Sequence, residues 1–164
     1  MKRALQFISL IPIVILLLYI FAFSAEDAEE STSTSKKVVV VVAEIIVEDF
    51  DKLPETKAKS IIESMTSYIR KLAHFTEFAL LGLFIALHIL TLTRIYPQIS
   101  ISKLLPFSWG SGTIAAVSDE FHQIFGPGRS CSLIDMTIDS MGVLSGTLIV
   151  LLVIAIIYKK SDRR

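Results

Sequence analysis

The sequence predicts an all-α, polytopic membrane protein: a bundle of about four transmembrane helices with an interfacial amphipathic helix. Three observations carry this reading. Of 164 residues, 52% are hydrophobic and the mean hydropathy is +0.64, more apolar than a soluble domain of this size. Four stretches, 4–23, 72–92, 105–125 and 134–157, are long enough to cross a core of roughly 30 Å at about 1.5 Å per residue. Between and beyond them lie turn signals and basic residues. The formal net charge is zero, so no nucleic-acid partner is expected. The single cysteine, Cys131, excludes an internal disulfide framework.

Residues 4–23 are apolar except for Gln6 and Ser9, and Lys2 and Arg3 precede them. A secretory signal peptide cleaved near Ala22-Phe23-Ser24 is the competing reading. The run exceeds the ~7–15 residues of a usual signal core, which favours a retained helix or signal anchor over 1–23. Residues 24–37 are polar, acidic and low in complexity, and disorder is expected there. Five valines, Val38 to Val42, follow; they read as a strand or as a helix on the membrane surface. The whole of 24–59 is expected to form an extracytoplasmic polar loop, partly disordered. After Pro54, Ile61, Met65, Tyr68, Ile69 and Leu72 recur at helical spacing. They predict an interfacial helix over 55–70 that runs into the second span. Arg94, Pro97 and Lys103 mark the next linker, and Gly126-Pro127-Gly128 makes the last one tight. Residues 158–164 form a basic tail with Lys159, Lys160, Arg163 and Arg164.

With both termini cytoplasmic, Lys2, Arg3, Arg94, Lys103 and the four tail residues lie inside. As many basic residues lie outside, but over a much longer stretch. Density and the first-helix flank therefore place both termini inside.

All three histidines, His74, His88 and His122, fall in predicted spans, with five of the sixteen acids: Glu77, Asp119, Glu120, Asp135 and Asp139. A mid-bilayer charge costs roughly 2.5–3.5 kcal/mol on insertion scales, so such residues need a reason. Chain parity supplies part of it. The start of span two, the end of span three and the start of span four share one side of the membrane. His74 and Glu77 lie at the first of these, Asp119, Glu120, His122 and Gln123 at the second, Asp135 and Asp139 at the third. Gly112, Ala116, Asp119 and Gln123 form one helical stripe, and Asp135, Asp139, Gly142 and Gly146 another. Small residues at this spacing let helices approach closely, which turns the acids toward the bundle interior. Arg70, Lys71 and Arg129 are the expected counter-charges, able to bind a carboxylate or equally a phosphate.

These residues resemble a known family. Arg70-Lys71-x-Ala73-His74-Phe75-x-Glu77-Phe78, with Leu81 and Gly82, is similar to the first motif of the VanZ-like membrane proteins. Ser118-Asp119-Glu120-x-His122-Gln123-x-Phe125-x-Pro127-Gly128-Arg129-Ser130, followed by Asp135, Asp139, Gly142 and Gly146, is similar to the second. The resemblance covers about residues 60–155, so 60–157 reads as the VanZ-like membrane domain and 24–55 as a segment of this lineage alone. Cys131 stands where a small residue such as Gly is expected. The resemblance implies a bacterial inner-membrane protein related to one that confers low-level resistance to the glycopeptide teicoplanin. It implies no accepted reaction.

Three readings of the cluster stay open. It is a site that binds or modifies a lipid-linked envelope component, a scaffold that ties helices or a partner together, or part of a small ion- or proton-coupled transporter. As a site, its catalytic candidates are His74, Glu77, Asp119, Glu120, His122, Asp135 and Asp139, and its ligand-binding candidates Arg70, Lys71, Gln123, Arg129 and Ser130. No spacing as specific as a HExxH helix is present, so neither a metal nor another cofactor is expected. Membrane lipid, a lipid-linked precursor and a second copy of the chain are the expected partners. Transport in particular would require oligomerisation.

Overall fold

A computed structural model of the chain describes residues 2–26 and 28–161. Those residues form five α-helices and no strand: α1 (Lys2–Ser24), α2 (Ala28–Ile46), α3 (Glu55–Ile95), α4 (Leu104–Gln123) and α5 (Leu133–Ser161). Short 3-10 turns, Phe50–Lys52 and Ile101–Lys103, precede α3 and α4. The fold is an all-helical membrane bundle. Arg163 and Arg164 of the expected basic tail lie outside the described residues.

By length and composition, α1, α3 and α5 can cross a membrane. The third expected span, α4, is 20 residues long and falls short on composition. The reason lies in its buried stripe, Leu104, Ser108, Gly112, Ala116, Asp119, Glu120 and Gln123. Small and polar side chains face the neighbouring helices there, where a lipid-facing helix would carry apolar ones. Its lipid-side residues remain apolar, with Phe107, Ile114 and Phe121 exposed.

α3 is continuous for 41 residues, so the expected interfacial helix over 55–70 and the second span are one rod. Pro54 occupies its N-cap, and Tyr96-Pro97 ends it. The N-terminal part of this rod is covered by α2. The acidic stretch expected to be disordered is helical from Ala28 onward, and the valine run continues that helix in place of a strand. Val39 and Ala43, one turn apart, are fully buried, and α2 packs chiefly on α3. Tertiary burial of one helical face outweighs the β-preference of valine.

Helix direction follows from the cross-helix hydrogen bonds. Tyr96 Oη, just past α3, donates to Gln6 Oε1 of α1 at 2.7 Å, and Ser9 Oγ pairs with His88 Nδ1 at 2.8 Å. α1 and α3 are therefore antiparallel. Ser24 Oγ donates to Asp119 Oδ2 at 2.6 Å, which joins the C-terminal ends of α1 and α4. A core of Ile13, Ile20, Phe78, Leu81, Ala116 and Val143 takes residues from all four of these helices.

α3 and α5 run parallel and make the most extensive helix contact. Their approach is backbone to backbone. A Cβ at Gly146 would run into the Ala79 carbonyl oxygen, one at Gly142 into that of Phe75, and one at Gly82 into that of Val143. Gly110 faces open space. Gly146→Val should therefore force α3 and α5 apart and destabilise the protein by about 1–3 kcal/mol, the usual range for overpacking. Gly110→Ala should leave thermal unfolding in detergent unchanged or slightly raised, since Ala is the better helix former. Equal unfolding temperatures for the two variants would contradict the close-contact account.

Candidate functional site: a polar cavity at one end of the bundle

The middle of α3, around Arg70 to Glu77, meets the end of α4 and the start of α5 on one side of the bundle, as parity required. A cavity of about 310 Å³ lies there, lined by Arg70, Lys71, His74, Glu120, Gln123, Arg129, Ser130, Asp135 and Asp139 among others. A second cavity of about 230 Å³ adjoins it between α1, α2 and α3. Tyr19, Phe23, Val38, Ile69 and Ala73 give that one a more apolar wall, and Glu77 lines it too. Arg70, His74 and Arg129 border both cavities.

The buried acids differ in how they are held. Asp119 is fully buried, and its Oδ2 accepts from Ser24 Oγ at 2.6 Å and from Gln123 Nε2 at 3.0 Å. Gln123 Nε2 also reaches Ser24 Oγ at 2.9 Å, closing a three-residue ring. The other oxygen, Asp119 Oδ1, has no hydrogen-bond partner. Asp139 is 1% exposed, and its Oδ1 has none either. Glu120 is committed to the chain: its Oε2 accepts from the Ser132 backbone N–H at 2.9 Å. Ser132 Oγ in turn accepts from the Asp135 N–H at 3.2 Å, the geometry of an N-cap for α5. Asp135 forms an ion pair with Lys71 at 3.2 Å. His74 Nδ1 lies 3.8 Å from Glu77 Oε2 on the same face of α3, too far for a hydrogen bond.

Arg129 departs from expectation. It forms no ion pair with any acid among the described residues. One guanidinium nitrogen donates to the Ser24 carbonyl oxygen at 2.8 Å and the other to Ser31 Oγ at 3.2 Å. The turn aims it. Gly128 has φ 73°, a conformation suited to glycine, and the Arg129 N–H returns to the Gly126 carbonyl at 3.2 Å. Arg129 thus braces the α1–α2 junction against the α4–α5 turn. Arg70 makes neither a hydrogen bond nor an ion pair among the described residues.

Two candidates, His122 and the buried Asp119, line neither cavity. His122 is exposed and packs at a tilt on Phe21, ring centroids 5.7 Å apart, outside both cavities. Ser130 is exposed at the rim of the first cavity. Ser24, Ser31 and Ser132 were not anticipated. Ser24 carried the one usable signal, a polar residue closing a long apolar run, which reads equally as part of a cleavage site. No group of three or more His, Cys, Asp or Glu residues among those described is arranged to hold a metal ion.

No curated protein and no solved structure matches the chain. The VanZ/LLP1 family model matches residues 9–155. That match begins in α1 and ends in α5. With most of the chain matched, and with both motifs converging on one polar cavity, the protein belongs to the VanZ/LLP1 family of membrane proteins.

Proposed function

We propose that this chain resides in the bacterial inner membrane with both termini cytoplasmic and the polar cavity at the outer face. There it holds the phosphorylated headgroup of a lipid-linked envelope component, and so contributes to glycopeptide resistance of the teicoplanin type. One observation carries the reading. Arg70 lines two adjoining cavities, one polar and one more apolar, and its guanidinium makes no hydrogen bond or ion pair among the described residues. A guanidinium so placed suits a phosphate joined to an apolar chain. Asp139 Oδ1, buried, unpartnered and on the lining of the polar cavity, adds an acceptor for a headgroup hydroxyl.

A structural reading has its own support. Arg129 and Glu120 spend their bonds on the backbone and on serines of other elements, as a scaffold requires. Arg70 separates the two readings. Arg70→Gln should leave thermal stability within about 0.5 kcal/mol of wild type, because no bond is lost. On the binding reading the same variant loses the polyprenyl-phosphate lipid that co-purifies with wild type, read by mass spectrometry of extracted lipid. A folded Arg70→Gln variant that retains that lipid would sink the binding reading. Arg129→Gln should lower stability on either reading, by about 1–3 kcal/mol, since a charged donor and its acceptors are lost.

The orientation has a direct test. Cys131 is the single cysteine, is exposed, and sits in the turn beside the cavity. A membrane-impermeant maleimide should label it in intact cells or spheroplasts. Labelling only after permeabilisation would place the cavity on the cytoplasmic side.

A further inference from the structure

The opposite end of the bundle has a different chemistry. The segments 4–25, 78–118 and 140–161 contain no acid. Arg94, Lys103, Lys159 and Lys160 lie in the latter two, where α3 and α5 finish and α4 begins. None of these four joins an ion pair among the described residues.

A groove of about 550 Å³ opens beside this cationic end. Ile85, Ile89 and Leu92, from one face of α3, and Phe107 of α4 form its apolar wall. The α3–α4 loop closes one end of it, and there Ser100 and Lys103 are polar. His88 stands on the same wall and is fixed by α1. His88 Nδ1 pairs with Ser9 Oγ at 2.8 Å, and Ser9 Oγ is itself within 3.0 Å of the Gln6 carbonyl oxygen. The wall is thus braced from behind. Its apolar part lies within the spans, at the depth of acyl chains, and Lys103 lies in the connecting loop, at the depth of headgroups. A neighbouring groove of about 490 Å³ repeats the pairing, with Ile154 and Ile157 below Arg94.

We propose that the groove beside Lys103 binds an anionic phospholipid, its acyl chain along Ile85, Ile89, Leu92 and Phe107 and its phosphate on the Lys103 ammonium. Charge selects the occupant. A zwitterionic lipid brings its own cation to a groove whose lining has no acid to receive it. An anionic one gains about five-fold in affinity for each basic residue at the surface.

The test is native mass spectrometry of the full chain in non-ionic detergent, titrated with phosphatidylglycerol and phosphatidylcholine of identical chains. Wild type should retain phosphatidylglycerol at least about five-fold better. Lys103→Gln should cut that preference by about five-fold, with the thermal unfolding temperature of wild type, since Lys103 is exposed. Ser111→Phe, which fills the groove, should lower retention of both lipids. Equal retention of the two lipids by wild type, or an unchanged preference in Lys103→Gln, overturns the proposal. So does a preference lost in Arg70→Gln and kept in Lys103→Gln, which would put the bound anion at the other end.

Discussion

The backbone contact between α3 and α5 is the constraint from which the polar end follows. Gly82, Gly142 and Gly146 let two parallel helices touch without intervening side chains. In a bilayer, where lipid tails are as apolar as leucine, such close packing must drive association by van der Waals contact. Parallel packing at this distance also fixes what stands beside what. His74 lies just before the contact on α3 and Glu77 in its first turn, and Asp135 and Asp139 precede it on α5. Both sets therefore project from the same end. α4 must then return between them, and its small residues at Gly112 and Ala116 allow it to do so.

Burying acids at that end carries a cost that the chain offsets only in part. Asp119 has two donors on one oxygen and none on the other; Asp139 has an oxygen with none. A scaffold built for stability alone would be better served by apolar side chains of similar size, since buried ionic groups seldom outperform them. Two cations near the acids are not paired with them. Arg129 turns to Ser24 and Ser31, and Arg70 has no partner among the described residues. A structure that leaves a guanidinium, unpartnered among the described residues, and the buried Asp139 Oδ1 at one cavity has the composition of a binding site.

Much of this was legible in the sequence because it depends on periodicities. Run length and parity placed His74, Asp119 and Asp135 at one end, and four-residue spacing aimed Asp119, Gln123 and Asp139 inward. What was not legible depends on contacts between distant segments. Residues 28–46 are helical because Val39 and Ala43 find α3, which local composition does not reveal. Arg129 is directed by a positive φ at Gly128, so its target could not be read from its neighbours. His122 lies roughly a third of a turn from the centre of the buried stripe of α4 at about 100° per residue, enough to face it outward. α4 itself misses the apolarity of a lipid-exposed span because its inward face is polar, so hydropathy undercounts a helix that brings Glu120 and Gln123 to the site.

The division of labour between the two arginines reconciles the scaffold with the site. Arg129 is half-buried and spends its donors on α1 and α2, which holds Tyr19, Phe23 and Val38 against α3. Those residues are the wall of the apolar cavity. The brace therefore builds one compartment of the proposed site, and Arg70, unspent, faces that compartment and the polar one together. A ligand entering would meet a preorganised cation and a preformed apolar wall, so little ordering cost would be subtracted from its affinity. A network that stabilises the bundle and a cavity that binds are then successive consequences of one turn, Gly126 to Arg129, and removing the turn's arginine would weaken both for a single structural reason.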